Sequence, residues 1–260
     1  MTFALVALAV APGAALFLFF YLRNRYKQEP LRPLVITFLY GAAALLPSMM
    51  NSLSLQRITG WRSTTPNVLH ALLGALLIVG LIEEGCKYLV VRFYAYRQPG
   101  FTEPYDGIMY SISAALGFAT LENVLYVISG GASTGVLRAF LSVPSHAFDA
   151  VLMGFFVGEA KFARDDRAAN WLCALGLILA VVAHGLYDFI VFTLDQAPLL
   201  IILLAVFAVL SWVIILVATR RQAEQSAHKH PQLVDLHQRS ARDAAAARTR
   251  NQDPSDPPSG

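Results

Sequence analysis

Glu83 and Glu84 stand side by side in Leu81-Ile82-Glu83-Glu84-Gly85-Cys86-Lys87-Tyr88, within a segment otherwise apolar from Asn67 to about Val91. Insertion scales put the cost of a carboxylate at membrane depth at about 2.5–3.5 kcal/mol each, so a chain that keeps two adjacent ones is expected to use them. Few other ionisable residues share apolar surroundings: Lys87, Asp106, Glu122, His146, Asp149, His184 and Asp188. A carboxylate in a low-dielectric cavity can act as general base toward water. A histidine can hold a metal or donate a hydrogen bond to a developing oxyanion. Glutamate and histidine together form a ligand set for a divalent metal such as Zn2+ that keeps a position open for water. These parts suit hydrolysis of an amide bond inside a membrane, and equally proton or cation transport.

The elements that must carry these residues are long and apolar. The 260 residues are 56% hydrophobic and 14% charged, with mean hydropathy +0.53, outside the range of a soluble domain. Seven runs near the roughly 20 residues that span a bilayer as a helix fall at about 2–22, 33–55, 67–91, 106–129, 137–159, 170–192 and 198–219. This predicts an all-α, polytopic transmembrane helical bundle and excludes a β-barrel, whose strands are shorter and alternate. Residues 1–220 form the membrane domain. Residues 221–260 are polar, rich in Ala, Arg and Gln, and end in Asp-Pro-Ser-Asp-Pro-Pro-Ser-Gly, a composition that predicts a disordered cytoplasmic tail. His228, His230 and His237 in that tail read as solvated.

Charge sets the orientation. With the N-terminus outside and the C-terminus cytoplasmic, Lys and Arg number sixteen in segments assigned inside and three (Arg57, Arg62, Arg138) outside, and the bias persists without the tail. The net charge of +3 therefore reflects topology and lipid-surface contact, not nucleic-acid binding. The first run lacks a basic start and a small-residue cleavage site, so it does not read as a signal peptide. Cys86 and Cys173 fall within spans, away from any extracellular disulfide.

Helical geometry sharpens the groups. At 100° per residue, Glu83 and Lys87 share a face, as do His184 and Asp188, and Phe118 and Glu122. His146 and Asp149 are one turn apart, with Pro144 just before them to kink the helix. In this topology Glu83 and Glu84 lie toward the cytoplasmic half, and Glu122, His146 and His184 from the middle outward, with convergence near the midplane left open by the span ends. Each feature has a plainer reading. Glu83 and Lys87 form a structural ion pair, His146 is a satisfied core histidine, Asp149 and Asp188 orient histidines, Asn123 is packing glue, and Phe118 is core. Three glutamates and two histidines on four consecutive helices are harder to explain that way.

The motifs occur in a definite order. Glu83-Glu84-Gly85-Cys86-Lys87 reads E-E-x-x-K; Phe118 to Asn123 reads F-x-x-x-E-N, preceded by Asp106-Gly107; His146 has Gly154 eight residues on; His184 to Asp188 reads H-x-x-x-D. Over about 30–195 this resembles the PrsW family of intramembrane proteases, related to the CAAX prenyl proteases and bacteriocin-processing membrane enzymes. The resemblance implies a multi-pass inner (plasma) membrane endopeptidase acting on membrane-anchored protein substrates, often as the site-1 protease of an anti-sigma factor. It implies a catalytic set of Glu83, Glu84, Glu122, His146 and His184, supported by Lys87, Asn123, Asp149 and Asp188. One of Glu83 and Glu84 activates water; the analogy with the first glutamate of the related enzymes points to Glu83, and helical geometry alone does not separate it from Glu84. If a metal is bound, Glu122, His146 and His184 are its expected ligands, with Glu84 a further one; the related prenyl proteases have been argued to use glutamate and no metal. The competing readings are a proton- or metal-ion-coupled transporter and a non-catalytic scaffold of the same fold.

Overall fold

A computed structural model describes residues 3–23, 29–65 and 67–229 of the chain. Among them every regular element is helical: α1 (Phe3–Arg23), α2 (Leu31–Thr59), α3 (Val68–Gly74), a π-helical stretch (Ala75–Gly80), α4 (Leu81–Phe93), a short 3-10 turn (Ala95–Arg97), α5 (Pro104–Phe140), α6 (Ser142–Lys161), α7 (Asp166–Thr193) and α8 (Leu200–Lys229). Within the described residues, each of the seven apolar runs lies mostly in helix. Helix α8 continues past the expected start of the tail at 221 to Lys229, while 230–260, with His230 and His237, lie outside the described residues. Arg25 and Lys27, used in the orientation argument, lie outside them too.

Among the described residues, six helical stretches are long and apolar enough to cross a membrane. The difference from seven arises at Pro104–Lys161, a 58-residue stretch that holds two of the expected spans. The chain turns within it. Gly131, at φ 74 and ψ −163, is non-helical, in a region that a residue with a Cβ rarely occupies. In a straight helix, Glu122 and Arg138 would stand about 24 Å apart at 1.5 Å per residue, yet their side chains form an ion pair. Residues 132–140 therefore fold back along 122–130, as the consecutive glycines Gly130 and Gly131 permit.

Helix α5 is the hub. Its residues from Pro104 to Thr120 are buried, and α1, α2 and α6 pack around it. Asp106 starts this helix: its Oδ2 accepts from the Thr102 and Glu103 N–H groups, both at 2.8 Å, completing a capping box with Pro104 in the first turn. The crossing of α5 and α6 depends on absent side chains. A Cβ on Gly107 would collide with the backbone of Gly154 and Gly158, so these helices approach at backbone distance, as small residues allow in membranes. The large apolar side chains of α1, α2 and α8 face outward, among them Leu18, Leu46, Met50, Ile202, Val209 and Val217. That is the surface a lipid environment wants and water does not.

Candidate active site

The two glutamates follow directly on an irregular turn. Ala75–Gly80 is π-helical, and the Leu81 N–H bonds back to the Leu76 carbonyl five residues earlier. Such turns widen the helix and recur at functional sites. The Ser52 hydroxyl of α2 donates to the Ile78 carbonyl inside the turn, at 2.9 Å. Gly80 lies against the backbone of Val181 and Gly185. That close approach of α7 brings Glu84 and His184 into contact across one hundred residues of sequence.

Glu84 is fully buried and anchors the site. Its Oε1 accepts from Lys87 Nζ at 2.6 Å and lies 2.9 Å from His184 Nδ1. Lys87, 1% exposed, also reaches His146 Nδ1 at 3.1 Å and Glu83 Oε2 at 3.6 Å. Below the ammonium lies the ring of Phe118, 4.3 Å to its centroid, a cation–π contact that gives the core phenylalanine a second role. His184 sits among four carboxylates. Its Nδ1 faces Glu84 and, at 3.2 Å, Asp149 Oδ2; its Nε2 faces Glu83 at 3.6 Å and Asp188 at 3.4 Å. Both ring nitrogens of His184 thus face only carboxylates, which accept hydrogen bonds and also serve as metal ligands.

Glu122 forms a second arm. Its Oε2 lies 3.0 Å from His146 Nε2 and 2.6 Å from Arg138 Nη2. Asn123 beside it accepts from Arg138 Nε at 3.1 Å and donates to the Ala9 carbonyl at 2.8 Å, tying α1 to the site. The rings of His146 and His184 are 5.3 Å apart and join the two arms. All nine residues expected from the sequence, five catalytic and four supporting, thus occupy one connected cluster. Arg138 was missed: counted as a loop cation, it is folded inward by the turn at Gly131. The Gly130-Gly131 pair was the available signal.

A cavity of about 870 Å3 adjoins the cluster, within the range of small-ligand sites. Glu83, Glu122, Arg138, His146, His184 and Asp188 are part of its lining, together with Ser48, Ser52 and Gln56 on one face of α2. Glu84 and Asp149 are absent from that wall. The two glutamates are therefore distinct: Glu83 faces the cavity, and Glu84 stands behind it.

Among the described residues, donor atoms for a metal fall into two groups, each within 4.8 Å: Glu84, His146, Asp149 and His184, and Glu83, Glu122 and His146. The expected trio of Glu122, His146 and His184 is split between them, with His146 common to both. The first group fits a divalent cation well. Glu84 Oε2 and both Asp149 oxygens are buried without a hydrogen bond, and a nitrogen and carboxylate set suits zinc. Charge points the same way. Five carboxylates stand against two permanent cations, Lys87 and Arg138, and a divalent ion would offset most of the remainder. Within that group His146 already has Lys87 against its Nδ1, so Glu84, Asp149 and His184 are the better placed ligands.

Comparison with known proteins shows the family of the chain. Residues 29–219 match the family described as PrsW family intramembrane metalloprotease. The chain is 39% identical to the Protease PrsW of Geobacillus kaustophilus over 194 residues, covering 75% of this chain and 82% of that protein. It is 39% identical to the Protease PrsW of Halalkalibacterium halodurans over 213 residues, 82% of this chain and 94% of that one. It is 36% identical to the Protease PrsW of Bacillus subtilis over 195 residues, 75% and 85% respectively. No solved structure matches. A helical membrane chain with paired glutamates and two histidines in one buried cluster, sharing most of its length with these proteases, belongs to the PrsW family of intramembrane metalloproteases, multi-pass enzymes of the bacterial plasma membrane.

Proposed function

We propose that the protein hydrolyses a peptide bond of a membrane-anchored protein substrate, with Glu83 as the base that activates water. The observation that carries this is the division of labour between neighbours. Glu83 lines the cavity, and its Oε2 is 3.6 Å from both Lys87 Nζ and His184 Nε2 without a hydrogen bond to either. Glu84 is committed to Lys87 and His184. A water held at Glu83 gives its proton to that carboxylate, and the hydroxide adds to the scissile carbonyl carbon. His184, a donor beside Glu83, stabilises the oxyanion. The proton on Glu83 then passes to the departing amide nitrogen as the C–N bond breaks. A divalent cation on Glu84, Asp149 and His184 would supply a Lewis acid that polarises the water or the carbonyl.

The chain crosses the membrane seven times in this reading, with the N-terminus outside and the C-terminus cytoplasmic. The reversal at Gly131 supports it, because residues 104–130 and 132–161 then run as two antiparallel segments. The cavity reaches Gln56, Trp61, Ser63, Ser129 and Leu194, near the loops that this orientation puts outside. The substrate segment is therefore cleaved from the outer side. A single-span regulator such as an anti-sigma factor, cut at its first site, fits that access and the motif resemblance.

The test is comparative membrane proteomics of cells carrying wild type or Glu83→Gln. An uncut single-span protein should accumulate in the variant and be cleaved by purified wild type in proteoliposomes. Cleavage that survives Glu83→Gln sinks the assignment of the base. Ion flux without any proteolysis points to the transporter, and neither activity to the scaffold.

A further inference from the structure

Arg138 stands apart from the residues that touch Glu83, yet it is bound into the same cluster. Its guanidinium donates through Nη2 to Glu122 Oε2 and through Nε to Asn123 Oδ1, and it lies 4.0 Å from the centroid of the Tyr126 ring. Its side chain is 14% exposed. The guanidinium reaches this place through the non-helical turn at Gly131, a backbone conformation open to glycine and rarely to other residues.

The consequence runs through His146. Lys87 is a donor without acceptor capacity, so His146 Nδ1, 3.1 Å from its ammonium, must accept. The ring proton then sits on Nε2 and is donated to Glu122 Oε2, 3.0 Å away. That hydrogen bond needs Glu122 as a charged acceptor in a fixed orientation. Two donors give it that: His146 on one side and Arg138 on the other. A carboxylate so oriented behind a histidine is the arrangement that sets its tautomer and direction.

We propose that Arg138 is a positioning residue of the protease: it fixes Glu122, through Glu122 the Nε2–H tautomer of His146, and through His146 the ammonium of Lys87 between the two glutamates. It acts through Glu122 and not on the substrate. The proposal rests on the protease reading for its kinetic consequence, but not for its structural one.

The test uses the full-length protein in detergent, with 15N-labelled histidine and the His146 signals assigned by difference from His146→Gln. Wild type should give two well-separated His146 nitrogen resonances, with the proton on Nε2. In Arg138→Gln these should move toward the averaged positions of an exchanging imidazole. An unchanged His146 spectrum in Arg138→Gln overturns the proposal whether or not any substrate is cut, so its failure is separate from failure of the protease reading. With a substrate in hand, Arg138→Gln should lower kcat about 10- to 100-fold at unchanged KM, with partial recovery in Arg138→Lys. Added to Glu122→Gln, it should cause little further loss. A rise in KM that multiplies with the Glu122→Gln effect would instead make Arg138 a substrate contact and refute the positioning role. Should Arg138→Gln fail to fold, Gly131→Ala keeps the guanidinium while disturbing its approach, and should produce the same change at His146; no change there counts against the proposal.

Discussion

His184 Nδ1 lies 2.9 Å from Glu84 Oε1, and the same carboxylate oxygen is 2.6 Å from Lys87 Nζ. One buried oxygen thus joins α4 to α7 and holds a buried ammonium. The neighbouring Glu83 makes no hydrogen bond through its Oε2. Two adjacent glutamates therefore carry different loads, and their variants should fail differently.

Glu83→Gln should reduce peptide cleavage by at least about a hundredfold, the scale of a lost general base, while the melting temperature in detergent stays near wild type. Glu84→Gln should lose activity and also about 3–5 kcal/mol of stability, the cost of removing one partner of a buried ion pair. Thermal unfolding and cleavage measured on both variants decide the matter. Equal melting temperatures would argue against the anchoring role of Glu84.

Lys87 is the mirror case. Lys87→Met removes the cation that Glu84 faces at 2.6 Å and Glu83 at 3.6 Å. Two carboxylates then remain close together in low dielectric, and destabilisation of about 3–5 kcal/mol is expected. The double variant Lys87→Met/Glu84→Gln should recover part of that loss. Additive losses in the double variant would count against the pairing.

Metal content separates holding from reacting. If Glu84, Asp149 and His184 hold a divalent ion, purified wild type should carry about one equivalent by elemental analysis, lost in Asp149→Ala and His184→Ala. Glu83→Gln should retain it. A chelator should remove the ion and the activity together, and zinc should restore both. Retention of full metal content by Asp149→Ala would exclude this ligand set.

Gly131→Ala isolates a backbone effect. Beyond the adjoining backbone, no atom lies within 4 Å of the position a Cβ would take, so there is space for the methyl group, but φ 74 is unfavourable for alanine. A cost of about 1–3 kcal/mol is expected from the backbone alone, together with a several-fold loss of cleavage as Arg138 shifts. A variant as stable and active as wild type would mean that the turn is not needed.

Access can be read by labelling. With Cys86 and Cys173 replaced, Gln56→Cys and Ser63→Cys on the cavity wall should react with a membrane-impermeant thiol reagent applied to intact cells. Labelling only after the inner face is exposed would reverse the proposed orientation.

Much of this protein is legible in its residues alone. Apolar run length determined the helices, because a lipid-facing backbone has no other way to satisfy its hydrogen bonds. Rarity determined the site: ionisable residues at membrane depth are too costly to keep without use, so Glu83, Glu84, Glu122, His146 and His184 stood out before any contact was known. Order along the chain then indicated the family. Spacing on one helix, however, says nothing about distances between helices. Only the packed structure set Glu84 behind Glu83, because a π-helical stretch and the Gly80–Gly185 approach determine how α4 is rotated against α7. Only the packed structure divided the expected metal trio into two groups sharing His146. And only the chain reversal at Gly131 turned Arg138 from a loop cation into a partner of Glu122: a single positive φ redirects a helix, and hydropathy does not register it.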